Sequence, residues 1–161
     1  MAGITMRKRI LRAFIKWLEE NGVFEFDIGE FSSRLRLQKY VFIARFFGLD
    51  LGYGFGLYLR GPYSPDLSRD YYELAEEEVA PASLPGTFRR EDFLKLVKGK
   101  EEWWLEIAAT ILLLWEEGWR KRDEVIEAVA RIKSIESKEE REYIADVLRD
   151  LVRHGIVELE L

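Results

Sequence analysis

Between Ser33 and Phe47 the chain reads SRLRLQKYVFIARFF, and a helix laid over it is apolar around almost its whole circumference. Leu35, Leu37, Tyr40, Val41, Phe42, Ile43, Ala44, Phe46 and Phe47 leave only narrow polar strips. At 100° per residue Arg34, Gln38 and Arg45 share one strip, while Arg36 and Lys39 lie apart from it. A helix without a solvated face has to be enclosed by other elements, so this one is expected at the centre of the fold. Ser32 or Ser33 is the expected cap at its start, and Gly48 its stop. A second segment, Glu101 to Glu117, is nearly as apolar and ends at Gly118. Its core, Trp103 to Trp115, is too short to span a bilayer and carries Glu106, so it reads as a second central helix.

Amphipathic segments supply the enclosure. Ile4 to Glu20 places Ile10, Leu11, Phe14, Ile15 and Leu18 at helical spacing, and Asn21-Gly22 ends it. Val23 to Ile28 suits a short extended piece. Tyr53 to Arg60 alternates and reads as a strand, followed by a turn at Gly61-Pro62-Tyr63. Ser64, Pro65 and Asp66 then have the residue types of an N-cap, a first helical position and a favourable first-turn charge, for a helix to about Glu78. Further helices are expected over Arg89–Val97, Lys121–Lys133 and Lys138–Arg153, with a terminal strand from Ile156 to Leu161. Pro81, Pro85 and Gly86 make Ala80 to Thr87 the one linker-like stretch. The expected architecture is mainly α with a small antiparallel β element (α+β). It has an N-terminal region, 1–80, and a C-terminal region, 81–161, packed as one unit.

Composition narrows the chemistry. There is no cysteine and a single histidine, His154, which removes disulfides, thiolate nucleophiles and His-rich metal sites. Gln38 and Asn21 are the only uncharged amides, whereas 34% of residues are charged. Depletion of Asn, Gln and Cys beside abundant Glu, Lys and Arg predicts a thermophilic source. Neither a signal peptide nor a membrane span is evident, so a soluble cytoplasmic protein is expected. Acidic pairs such as Glu116-Glu117 have no basic or metal-binding neighbour at a defined spacing, and read as solvated faces. Ser64 and His154 lack a nucleophile-elbow context; the first suits a cap and the second a helix C-terminus. The glycines of Gly52-Tyr-Gly-Phe-Gly have no phosphate-loop lysine after them. No catalytic residue, metal site or cofactor is expected.

The charge is unevenly distributed. Residues 1–70 carry 11 Lys/Arg against 8 Asp/Glu, and residues 71–161 carry 14 against 22. Nucleic-acid binding would therefore need a local patch: Arg7, Lys8, Arg9 and Arg12, or Arg120, Lys121 and Arg122. Trp103 to Leu161 has the helix–helix–helix–strand order of a winged helix, the basis for a DNA-binding, dimeric regulator as the alternative function. Glu139, Glu140 and Glu142 at the start of its third helix would repel phosphates.

One pattern goes beyond composition: Leu37-Gln38-Lys39, an apolar helix, a glycine, an aromatic strand, then Gly61-Pro62-Tyr63-Ser64 with Leu67. It resembles the uncharacterised YwgA-like proteins of bacteria and archaea, and more distantly the Panacea (SocA-like) antitoxin domains, which more often have G-P-V at the turn. EIAATILLLWEEGW followed by DEVIEAVARIK is also similar to the second half of YwgA-like chains, so the likeness spans most of Arg34 to Ile156. The resemblance implies a mainly helical fold with a small sheet, an interaction or regulatory role, an archaeal or bacterial source, and no enzyme activity. The expected function is non-enzymatic binding of a protein partner, with homodimerisation open. Its expected surface is Gln38, Lys39, Tyr58, Arg60, Gly61, Pro62, Tyr63 and Ser64. The competing reading makes the motif architectural, with Gln38 and Lys39 satisfying backbone groups beside Gly61-Pro62.

Overall fold

The computed structural model describes residues 2–159, with side chains from 6 to 159. Among these residues the chain forms seven α-helices and one two-stranded antiparallel sheet, a mainly α fold with a small β element. In chain order these are α1 (Ala2–Glu20), α2 (Phe31–Ala44), β1 (Gly56–Tyr58), β2 (Gly61–Tyr63) and α3 (Pro65–Glu76). They are followed by α4 (Arg90–Val97), α5 (Glu102–Glu116), α6 (Arg122–Ile132) and α7 (Lys138–Arg153).

The two apolar helices are the centre, as their circumference requires. α2 packs along α5, and every α2 residue from Leu37 to Ala44 is buried, as is every α5 residue from Trp104 to Leu114. α6 and α7 pack on α5 and on each other, α1 packs on α3, and the hairpin rests on both central helices through β2. One apolar cluster runs from Leu11 to Val157 and takes in both halves of the chain. Burial of aromatic surface of this extent is the main favourable contribution to such a fold. An aromatic knot of Phe14, Trp17, Phe47, Phe88 and Phe93, with centroids 5.3–6.2 Å apart, joins α1 to α4. Ala80–Thr87, linker-like by composition, is tied down: the Ala82 amide donates to Arg9 O at 3.1 Å, and Arg89 N to Phe47 O at 2.7 Å.

Several boundaries differ from expectation. α2 begins at Phe31, and neither Ser32 nor Ser33 caps it; Glu30 is the cap residue and makes no side-chain bond. Ser33 Oγ instead accepts the Asp27 amide at 2.8 Å, and Ser32 bonds Glu102 across to α5, because the preceding turn around Asp27 starts the helix early. The last turn of α2 tightens into a 3-10 turn over Arg45–Phe47 before Gly48, at φ +88°. The expected strand Tyr53–Arg60 shrinks to Gly56–Tyr58, and the expected turn Gly61-Pro62-Tyr63 is itself the second strand. The reversal lies at Leu59-Arg60, and Gly61 leaves it at φ +94°, the left-handed position a glycine fills after a tight hairpin turn. Val23–Ile28 pairs with no strand.

The winged-helix expectation is not met. No strand follows α7 through residue 159, and Glu160 and Leu161 lie outside the described residues. Ile156 and Val157 are buried against the core instead, and Trp115 Nε1 donates to Glu158 O at 3.3 Å. The sheet that does exist precedes these three helices in sequence.

Gly48 and Gly118 both end helical segments at positive φ but differ in their surroundings. A β-carbon on Gly48 would stand 2.1 Å from Thr87 O, whereas one on Gly118 would meet nothing within 4 Å. Gly48→Ala is expected to destabilise by roughly 2–5 kcal/mol, left-handed strain plus overpacking against backbone. Gly118→Ala should lose only about 1–2 kcal/mol from strain. Urea titration of both variants checks this, and equal losses would refute the packing argument.

Candidate functional site

The two halves of the Leu37-Gln38-Lys39 and Gly61-Pro62-Tyr63-Ser64 pattern meet directly. Gln38 lies mid-helix on α2, where its side-chain amide forms a closed pair with the backbone of Ser64. Nε2 donates to Ser64 O at 3.0 Å, and Oε1 accepts Ser64 N at 2.9 Å. Lys39 Nζ donates to Pro62 O at 2.7 Å. Main-chain groups alternate sides along a strand, so residues 61 and 63 of β2 turn theirs towards β1 while 62 and 64 turn theirs towards α2. The outer edge of β2 is thus completed by two side chains rather than by a third strand. Proline fits at 62 because an N–H there would face α2, where the ammonium at Lys39 offers only donors.

Ser64 continues the chain into α3. Its Oγ accepts the Leu67 amide at 3.2 Å, and Pro65 occupies the first turn, the capping arrangement expected from sequence. Gly61 sits over a polar cluster between α2 and α5. A β-carbon on it would lie 3.3 Å from Thr110 Oγ1 and 3.5 Å from both Glu106 Cγ and Lys39 Cε. Glu106 pairs with Lys133 Nζ at 3.2 Å, both side chains nearly inaccessible. Burial pushes the Lys39 ammonium down to about 8, with Glu106 opposing the shift and Lys133 reinforcing it. Lys133 is lowered too, again chiefly by burial.

The expected partner surface is accordingly narrower than the sequence suggests. Gln38, Lys39, Gly61, Pro62 and Ser64 are buried and their polar groups are engaged within the fold, so they shape the hairpin and touch nothing outside. Tyr58 and Arg60 are exposed, and Tyr63 is half-buried, its ring edge-on to Tyr58 at 5.4 Å. Three residues not singled out from sequence join them. Arg60 lies over Phe31 at 6.0 Å, and Arg34 lies 5.8 Å from both Phe31 and Tyr72. Tyr72 had a legible signal: consecutive helical residues are 100° apart, so of Tyr71 and Tyr72 only one can face the core. Tyr71 is buried and Tyr72 exposed.

The N-terminal basic residues are engaged in the fold. Arg7 Nε donates to Asp70 Oδ2 at 3.1 Å, beside the Tyr53 hydroxyl at 2.7 Å from the same oxygen, and the guanidinium covers the Tyr53 ring. Lys8 pairs with Glu73 and Glu77, which hold its pKa above the ordinary value. Arg9 and Arg12 donate to Ala80 O and Leu74 O. These four fasten α1 to α3 and its exit. Arg120 bonds the Trp115 and Trp119 carbonyls, and Arg122 pairs with Asp123, leaving Lys121 beside them on the surface. His154 bonds Asp150 O at the end of α7, a structural place.

Two measurements test the edge. Gln38→Ala leaves two buried main-chain groups of Ser64 without partners and should lower stability by about 2–4 kcal/mol, more than the 0.5–2 kcal/mol typical of a lost cap at Ser64→Ala, roughly. Lys39 has a folded pKa below its unfolded 10.5, so the unfolded chain binds more protons between about pH 8 and 10 and stability rises with pH there. Denaturation curves across that window should show a gain of roughly 1–3 kcal/mol, reduced in Lys39→Met to the part Lys133 supplies. An unchanged slope in that variant would contradict a buried ammonium.

Comparison with protein-family models, with curated proteins and with solved structures finds no match to this chain.

Proposed function

We propose that this chain is a non-enzymatic domain that binds a protein partner through the face where the β1–β2 turn meets the start of α2 and the outer side of α3. The observation that carries the reading is the connected surface of Phe31, Arg34, Arg60 and Tyr72, flanked by Tyr58 and Tyr63. Phe31 and Tyr72 are large apolar side chains held in water, 57% and 45% exposed. Tyr and Arg are the residue types that dominate binding hot spots, and a contiguous exposed aromatic patch marks an interaction site more often than chance exposure does. The face is also preorganised. The strand behind Arg60 is fixed by Gln38 and Lys39, and α3 by the Ser64 cap, so little ordering is left for the moment of binding.

The likeness to YwgA-like proteins supports the same reading. The Gln38–Ser64 and Lys39–Pro62 bonds give a physical reason for those two motifs to occur together. The composition favours a thermophilic, cytoplasmic setting. No described helix is long and apolar enough to cross a membrane.

Affinity capture from the native source compares wild type with Phe31→Ser/Tyr72→Ser and, separately, Arg34→Ala/Arg60→Ala. Phe31→Ser/Tyr72→Ser should stay near wild-type stability, whereas Arg34→Ala/Arg60→Ala should lose about 0.5–1.5 kcal/mol with the Arg34 bond to Ile28 O; both should remain folded and lose a protein that an Arg122→Ala control retains. Retention of every captured protein by both folded variants would sink the proposal.

A further inference from the structure

The partner face carries two guanidiniums that no carboxylate answers. Elsewhere on the surface arginines take a nearby acid, as Arg45 does with Glu116, Arg69 with Asp66 and Arg149 with Asp146. Among the described residues Arg34 and Arg60 make no ion pair, although the chain holds 30 acidic residues against 25 basic ones. Glu30 stands four residues before Arg34, the spacing of a helical ion pair, and still no pair forms. Arg34 Nη1 donates instead to Ile28 O at 2.7 Å, and its guanidinium lies 5.8 Å from the centres of both the Phe31 and Tyr72 rings. Arg60 approaches the Phe31 ring at 6.0 Å, and its donors meet no acceptor among the described residues.

The charge behind them has the same sign. Lys39 and Lys133 are buried near Glu106, and the charge of Arg60 reaches Lys133 and helps to hold that ammonium below its ordinary pKa. Glu102, the other carboxylate felt by Lys39, is already bonded to Ser32. Two guanidiniums thus converge on one exposed ring in a locally positive setting, with most of their donors unused.

We infer that the partner bound at this face presents an acidic segment, with a carboxylate held by Arg34 and Arg60 and a neighbouring apolar side chain packed on Phe31 and Tyr72. The inference rests on the proposed partner face and adds to it the chemistry of the ligand. A carboxylate matches the planar fork of a guanidinium and gains charge-assisted hydrogen bonds from it. The rings already restrict both arginines, so less side-chain freedom is lost on binding. Bases of a single-stranded nucleic acid can also stack on such rings. A phosphate at every nucleotide, however, would meet a chain of net charge −5 and the exposed Glu30 beside Phe31. A protein segment with one or two carboxylates needs only the two arginines.

Selection from a phage-displayed library of random dodecapeptides against the full chain tests it. Enriched peptides should carry Asp or Glu next to Leu or an aromatic residue. A synthetic copy of the best binder, followed by fluorescence anisotropy, should bind at least tenfold more weakly when its carboxylates are replaced by amides. Raising the salt from about 0.05 M to about 0.5 M should weaken it several-fold. Arg34→Ala and Arg60→Ala should each weaken binding at least tenfold, Arg60→Lys less, and Arg122→Ala not at all. If Arg34→Ala fails to fold, Arg60→Ala decides, since the Arg60 side chain makes no hydrogen bond within the described fold. Peptides that need Phe31 and Tyr72 but no carboxylate would overturn the acidic ligand and leave the face standing. Peptides indifferent to Phe31→Ser/Tyr72→Ser would overturn both. Failure to enrich any peptide, or tighter binding of labelled oligothymidylate than of the acidic peptide, would also overturn the inference.

Discussion

The pairing of one side-chain amide with one peptide group, Gln38 with Ser64, holds the hairpin, the start of α3 and the central helix in a fixed relation. A two-stranded hairpin is marginal in water and needs something to lie against. Usually that is a third strand. Here α2 supplies it, with Gln38 matching both hydrogen-bonding groups of residue 64 and Lys39 the single acceptor at residue 62. The substitution of helix side chains for a strand explains why so small a sheet persists among seven helices. It also explains the residue types: Gln carries a donor and an acceptor at the correct spacing for a peptide, whereas Lys suits a proline carbonyl whose own residue has no N–H to be met.

The same region carries the polar cost of the fold. Lys39, Glu106 and Lys133 form a buried group of two cations and one carboxylate beside Gly61, whose φ of +94° strains any side chain and whose β-carbon would crowd Thr110 Oγ1 at 3.3 Å. Buried ion pairs contribute little net stability, because desolvation offsets attraction. Their effect is discriminating: a one-residue slip of β2 would bring Pro62 over the cluster and leave the Lys39 ammonium without its carbonyl. Register is fixed by what a wrong register would leave unpaired.

Much of this was legible in the sequence. The two helices apolar on all sides are the two central ones, because a side chain with no polar neighbour on its own helix has nowhere to face but inward. The Ser64-Pro65-Asp66 start of α3 was equally readable, since capping depends on adjacent residues. The hairpin was not. Gly61-Pro62 has the composition of a turn, and it is a strand through its pairing with β1 and the tertiary bonds from Gln38 and Lys39 on its other edge. The contact face was half legible. Arg60 and Tyr58 sit in the motif, but Phe31 and Tyr72 come from two helices whose juxtaposition no local pattern encodes. The basic N-terminal helix misled for a similar reason, because its carboxylate and carbonyl partners lie more than sixty residues away.

That distance has a consequence while the chain is being made. The hairpin's bonds to α2 close loops of 23 and 26 residues, but those of Arg7 and Arg12 close loops of 63 and 62. The longer closures are disfavoured by only roughly 0.9 kcal/mol more in chain entropy, so equilibrium is little affected. Timing is affected much more. At about 5–20 residues per second, Arg12 emerges from the ribosome roughly 3–12 s before Leu74 emerges to receive it. Through that interval Leu11, Phe14 and Leu18, all fully buried in the finished fold, have no α3 or α4 to cover them. The nascent chain therefore presents an amphipathic basic helix to its surroundings well before its own acidic partners arrive.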